Sequence, residues 1–336
     1  MFMMYLLFIV GLVLLIYGGD WFVDGATGIA RRFHLPELLI GATVVSIGTT
    51  LPEVMVSTTS AIQGHSQIAY GNAIGSIICN TALIAAISAA VRPSAVNKKT
   101  LRTPVTFFFI AAAFYVAVAY TSGYFSRPIG VILLIIFVLY MIANVMGMKN
   151  EPGASNAAST AEAIQGQDAG TGEEGDVEGP VWKMILLLVV GAVLIAIGAD
   201  LLVDNGTLIA EALGVPESVI ALTFVALGTS LPELVTAVTS LIKGHSSLSL
   251  GNVIGANVFN LVLVCGLSIT VSPFSIPENS TLFGVNASLV VDLPVMLLVM
   301  ILLTAIPLVK GKTSRVQGIL LLAIYAAFCV YQFVLG

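Results

Sequence analysis

The stretch Thr43-Val-Val-Ser-Ile-Gly-Thr-Thr-Leu-Pro-Glu53 returns 180 residues later as Thr223-Phe-Val-Ala-Leu-Gly-Thr-Ser-Leu-Pro-Glu233. Each copy sets a proline and a glutamate deep inside apolar sequence. An ionisable side chain at membrane depth is costly and by default marks an ion pathway. Two such copies point to one site built from the two halves of a duplicated chain.

The remaining sequence fits that reading. Of 336 residues 58% are hydrophobic and 9% charged, which excludes an ordinary soluble domain and implies an all-α, polytopic membrane protein whose surroundings are the lipid bilayer. Segments near 4–24, 36–63, 68–91, 103–121, 128–147, 181–203, 216–242, 248–272, 287–309 and 316–335 are each long enough to span as helices. The first 24 residues lack Lys and Arg, so the segment reads as a retained span and not a cleaved leader.

Cytoplasmic connections are enriched in Lys and Arg. All 13 basic residues except Arg127 fall in the odd-numbered connections, which places both termini away from the cytoplasm. The net charge of −5 carries little information about partners, because much of the acid lies between Glu151 and Glu178, and no nucleic-acid partner is expected. Cys79, Cys265 and Cys329 lie in apolar segments without ligand spacing and read as small hydrophobes.

Aligned with itself at an offset of 180, the chain matches Pro36 with Pro216, Gly64-His-Ser66 with Gly244-His-Ser246, and Gly71-Asn72 with Gly251-Asn252. Over 42–80 against 222–260, 18 of 39 positions are identical. Five spans per repeat is an odd number, so the halves enter the membrane with opposite orientation, as in many secondary transporters. The expected division is a first five-helix repeat (1–148), a flexible acidic cytoplasmic linker (149–180) and a second five-helix repeat (181–336).

Proline within a helix removes a hydrogen bond and crowds the carbonyl four residues earlier. Pro52 would thus loosen the turn holding Ser46, Thr49 and Thr50, and Pro232 the turn holding Ala226, Thr229 and Ser230. On the next helix Ser76 and Asn80 share a face at i and i+4, with Ala256 and Asn260 as counterparts. Oxygen donors without His or Cys select a hard cation, and two glutamates balance one divalent ion. Lone Thr and Ser residues in membrane helices often serve only as packing glue, but a duplicated Pro-Glu is not explained that way. Gly71-x-x-x-Gly75 and Gly251-x-x-x-Gly255 read as helix-packing faces, and Asp20, Asp24, Asp200 and Asp204 as interfacial, solvated groups. His65 and His245 fall on opposite sides of the membrane and cannot share a site.

Gly48-Thr-Thr-Leu-Pro-Glu53 with Gly75-Ser-Ile-Ile-Cys-Asn80, and Gly228-Thr-Ser-Leu-Pro-Glu233 with Gly255-Ala-Asn-Val-Phe-Asn260, resemble the two alpha repeats of the calcium/cation antiporter superfamily, in particular its prokaryotic sodium/calcium exchanger branch. The resemblance implies exchange of Ca²⁺ for Na⁺ in a prokaryotic cell membrane, with no cofactor and no enzymatic activity. It implies Ca²⁺ ligation by Glu53 and Glu233 with oxygens of Thr49 and Thr229. Flanking Na⁺ sites would draw on both glutamates with Ser46, Thr50, Ser76, Ala226 and Ser230, and Asn80 and Asn260 would stand beside the central ion. The aspartate typical of potassium-dependent members and the additional glutamate of proton-coupled ones are missing, which favours sodium. Ala256 and Ile77 depart from the pattern, the first deleting a hydroxyl from one expected Na⁺ site, and this puts three-for-one stoichiometry in question. A cation channel and an intramembrane acid protease are the rival readings of two buried carboxylates.

Overall fold

The computed structural model describes residues 2–149, 180–212, 228–277, 281–282 and 284–334. Its helices are α1 (Phe2–Arg32), α2 (Glu37–Thr49 and Leu51–Ile62), α3 (Ser66–Val91), α4 (Lys98–Thr121), α5 (Arg127–Lys149), α6 (Val181–Ala212), α7 (Leu231–Ile242), α8 (Ser246–Val271), α9 (Ser288–Lys310) and α10 (Arg315–Val334). Eight are long and apolar enough to span alone, and the bent α2 makes a ninth. Helix α7 is the C-terminal part of the expected span 216–242, and the N-terminal part of that span lies outside the described residues, as does the expected linker from 150 to 179.

Contacts between connections decide whether the α7 segment crosses. Strand β1 (Tyr124–Phe125), between α4 and α5, pairs antiparallel with β2 (Phe274–Ser275), between α8 and α9. Ala95, between α3 and α4, bridges Lys312, between α9 and α10. Connections that meet lie on one side of the membrane, so an even number of crossings must separate them. Counting the α7 segment as a span gives even numbers in both cases, and omitting it gives odd ones. Ten spans follow. A hairpin of β3 (Thr281–Leu282) and β4 (Val285–Asn286) adds the only other strands among the described residues.

The repeat is visible in local geometry. Gly64 and Gly244 both take positive φ, 83° and 84°, which a side chain would strain. After each, the backbone N–H of His65 donates to Ser60 O at 2.8 Å and that of His245 to Ser240 O at 2.7 Å. This is the glycine-closed helix end that the matching Gly-His-Ser triplets encode.

Helices α1 and α6 pack backbone to backbone along their length. A Cβ on Gly18 would lie 2.9 Å from Ile195 N, one on Gly25 2.5 Å from Leu188 N, and one on Gly198 2.8 Å from Gly11 O. The remaining spans enclose a core in which Tyr70, Phe108, Tyr115, Tyr140 and Phe259 are buried between α3, α4, α5 and α8. On α8, Gly251 and Gly255 press against α2, where a Cβ on Gly255 would come 2.5 Å from Ala42 Cα, so this pair is the packing face expected of it. For Gly71 and Gly75 the corresponding partner stretch falls within 213–227, outside the described residues.

Candidate functional site

Each Pro-Glu motif opens a helix. Helix α2 bends by 47° between Glu37–Thr49 and Leu51–Ile62. At the break Thr50 takes φ −86°, ψ −2°, and at the matching point of the second half Ser230 takes φ −89°, ψ 3°. Both lie in the sparsely allowed bridge region, from which the helix carrying the glutamate starts. The turn before Pro52, expected to be loosened, is broken outright at Thr50. Pro52 and Pro232 stand in the first turn of the helix that carries each glutamate, where a missing N–H costs nothing. Glu53 and Glu233 follow in that same turn, where the helix dipole favours negative charge.

The two motifs meet. Glu53 and Glu233 are both 0% exposed. The Thr50 hydroxyl of the first half lies 3.4 Å from Glu233 Oε1 of the second. Thr49 Oγ1 donates to Asn252 Oδ1 on α8 at 3.2 Å, and Thr229 Oγ1 donates to Asn72 Oδ1 on α3 at 3.1 Å. Each motif turn is thereby tied to a helix of the opposite half. Ser46 is buried and donates to Gly41 O at 2.8 Å, with Asn252 O 3.0 Å away. Ser76 is buried on α3 one turn before Asn80. Asn80 and Asn260 are fully buried, and each begins a π-turn, Asn80–Ile84 and Asn260–Val264. Such turns free backbone groups and recur at functional sites. Ala226 lies outside the described residues.

The donor set is rich in unused oxygen. Both carboxylate oxygens of Glu53, Oε2 of Glu233, the side-chain amides of Asn80 and Asn260 and the Ser230 hydroxyl are buried without a hydrogen-bond partner. Each such group costs about 1–3 kcal/mol if left unsatisfied, and all but the two amide nitrogens are oxygens. That chemistry suits a hard cation with several oxygen ligands. Among the described residues no three His, Cys, Asp or Glu side chains gather to hold a metal, so the neutral oxygens have to complete any coordination. A cleft lined by Phe22, Gly48, Thr49, Pro52, Ala192 and Pro232 separates the motif turns from α1 and α6.

The periphery differs from expectation at one point. Asp20 and Asp24 are half-exposed, as interfacial groups should be, yet both pair with Lys243 at the end of α7, at 3.4 and 2.8 Å. Sequence reading took them as merely solvated because the partner lies in the other half. His245 Nδ1 lies 2.7 Å from Glu37 Oε1, outside the site. The three cysteines are unbridged, and Cys79 and Cys265 are buried.

Asn72 and Asn252, which hydrogen-bond the motif threonines from the opposite half, are absent from the expected site. Their signal was available: Asn72, Ser76 and Asn80 repeat at i, i+4 and i+8 on one face of α3, and Gly-Asn recurs in both halves.

Two buried carboxylates shared between repeated half-molecules, each in the first turn of a Pro-Glu helix of a ten-span bundle, define a secondary transporter of the inverted-repeat class. The family model described as sodium/calcium exchanger protein matches residues 3–146 and 183–334. Similar proteins include inner membrane protein YrbG of Escherichia coli (strain K12), 37% identical and covering 80% of this chain and 79% of YrbG. Sodium/calcium exchanger MaX1 of Methanosarcina acetivorans is 32% identical over 98% of both chains. A solved structure of the sodium-calcium exchanger NCX_Mj, soaked with 2.5 mM Na⁺ and 10 mM Sr²⁺, superposes with a TM-score of 0.77 at 31% identity, covering 100% of this chain and 99% of that one. The chain belongs to the sodium/calcium exchanger family, as the resemblance implied, and is an integral membrane transporter, not an enzyme.

Proposed function

We propose that this chain exchanges Ca²⁺ for Na⁺ by alternating access at one site shared by its two halves. Ca²⁺ is held by Glu53 and Glu233 with oxygens of Thr49 and Thr229, and Asn80 and Asn260 stand beside it. Na⁺ ions displace it from flanking positions that use the same glutamates with Ser46, Thr50, Ser76, Ser230 and the backbone at Ala226. With neither ion bound, two facing carboxylates repel each other in a dehydrated setting, so an occupied site is the condition for passing through the occluded state. Because Ala256 lacks the hydroxyl that Ser76 brings to the first half, one flanking site has a ligand fewer, which puts three-for-one stoichiometry in question.

The paired helices α1 and α6 then move as a unit against the helices that carry the motifs, exposing the site to one side and then the other. The repeats 1–148 and 181–336 are the mirrored units of that motion, the linker 149–180 is cytoplasmic and both termini face outward. A prokaryotic cell membrane is the setting, in which an inward sodium gradient drives calcium out.

The observation that carries this reading is the set of cross-half hydrogen bonds around two fully buried glutamates, three of whose four carboxylate oxygens lack protein partners. Glu53→Gln and Glu233→Gln, reconstituted separately in liposomes, are each expected to lose sodium-driven calcium flux by about 100-fold or more, since removing one of two buried interacting charges costs several kcal/mol. Undiminished flux in either variant refutes the shared site.

A further inference from the structure

We infer that Asn72 and Asn252 are positioning residues that turn the motif threonines into pure oxygen acceptors and set each motif turn from the opposite half. This rests on the reading of the Pro-Glu motifs as the cation site. Asn72 Nδ2 donates to Glu53 O at 3.3 Å and to Ser57 Oγ at 2.8 Å. A carbonyl can only accept, so that end of the amide is the NH₂ and the oxygen faces Thr229. The Thr229 hydroxyl therefore spends its single proton on Asn72, at 3.1 Å, and offers only lone pairs elsewhere. A cation tolerates lone pairs and repels a hydroxyl proton, so fixing that proton away from the site prepares the turn before the ion arrives. Thr49 Oγ1 meets Asn252 Oδ1 in the same way, at 3.2 Å, but no acceptor for Asn252 Nδ2 fixes that amide as Glu53 O fixes Asn72.

The crossing matters as much as the proton. Thr229 belongs to the second half and Asn72 to the first, and Thr49 and Asn252 reverse that relation. Each half's ion-binding turn is thus registered by a helix of the other.

The two anchors are unequal. Asn72 is held by Ser57, whereas Ala237 stands at the equivalent position in the second half, and Asn252 Nδ2 is buried without a partner. Thr229 is therefore held by the firmer amide.

Thr229→Val removes the hydroxyl while keeping shape and main-chain carbonyl, and Asn72→Leu removes its acceptor. In a double-mutant cycle on the purified, reconstituted protein, each single change is expected to raise the calcium KM about tenfold with maximal rate altered less than twofold. The double variant should stay near the Thr229→Val value instead of reaching a hundredfold, because Asn72 acts on calcium through a hydroxyl that Thr229→Val has already removed. The matching cycle of Thr49→Val with Asn252→Leu should show weaker coupling, about threefold. Ser57→Ala, which only copies Ala237 of the other half and so tests the anchor without threatening the fold, should raise the KM two- to threefold.

Equilibrium calcium binding to the same samples separates the two levels of failure. Wild-type protein that binds calcium, with additive losses in the cycles or an unchanged KM in Ser57→Ala, overturns the positioning role alone. Wild-type protein that binds no calcium overturns the site reading and this inference with it.

Discussion

Helix α7, which carries Glu233, is covered where its counterpart, the Leu51–Ile62 segment of α2 carrying Glu53, is open. Met55 is 65% exposed, while the equivalent Val235 lies under α1 against the position of Gly19. Val56 is 37% exposed and its counterpart Thr236 fully buried. Lys243 at the end of α7 reaches Asp20 and Asp24 of α1, whereas Gln63 holds the equivalent position in the first half. Among the described residues, then, α1 lies along the second motif helix, and α6 makes much less contact with the first. Two halves of one sequence plan sit in different poses, and an inverted repeat makes the mirror image of that arrangement the natural second state.

The strongest way to break that comparison is to freeze it. A Cβ at Gly19 would lie 3.8 Å from Thr239 Cβ, the usual spacing across a disulfide. Oxidised Gly19→Cys/Thr239→Cys protein is expected to stop exchanging and to recover on reduction. The mirrored pair, Ala199→Cys/Thr59→Cys, should cross-link only while the protein is turning over. Mirrored cysteines that never cross-link, or a locked first pair that still exchanges, would show that α1 and α6 do not move in the way described.

A smaller effect sharpens the chemical difference between the halves. Ala256→Ser gives the second half the hydroxyl that Ser76 supplies in the first. A net hydrogen-bonding or ligating oxygen is worth about 1 kcal/mol, so the sodium concentration for half-maximal exchange should fall roughly fivefold, with steeper sodium dependence. No change in sodium dependence would mean that position 256 lies away from any sodium ion.

The smallest effect concerns Lys243. The pair partners are 24% to 49% exposed, and ion pairs in that setting contribute at most about 1 kcal/mol, less at high salt. Lys243→Gln, which copies Gln63, should shift the balance between the two poses by no more than about fivefold. The shift is read as the change in the ratio of calcium affinities measured from the two faces, and 1 M salt should abolish it. A larger, salt-independent shift would mean that Lys243 acts through packing instead.

Much of this was legible in the residues. The spans, the inverted repeat and the two glutamates are encoded by apolar length, by basic residues in alternate connections and by a repeated Pro-Glu, all of which act locally. The helix-closing Gly64 and Gly244 announce themselves for the same reason. What stayed hidden depends on which helices become neighbours. An asparagine in a membrane helix looks the same whether it glues two helices or orients a ligand, and only the approach of Thr229 to Asn72 and of Thr49 to Asn252 distinguishes the cases. Asp20 and Asp24 read as solvated until Lys243, more than two hundred residues away, arrives beside them. The proline does not mark the break itself, since the chain bends at Thr50 and Pro52 stands two residues on, inside the first turn of the next segment.

The claim that both halves supply one site serving two kinds of ion in turn is tested most directly by radioactive calcium uptake into liposomes carrying the wild-type protein, loaded in turn with sodium, potassium or acid, or given no gradient. Uptake driven by internal sodium alone, and drained by adding external sodium, is the expected result. Equal uptake with potassium or acid inside would contradict the sodium coupling, and rapid uptake with no counter-ion would make the two glutamates the lining of a pore.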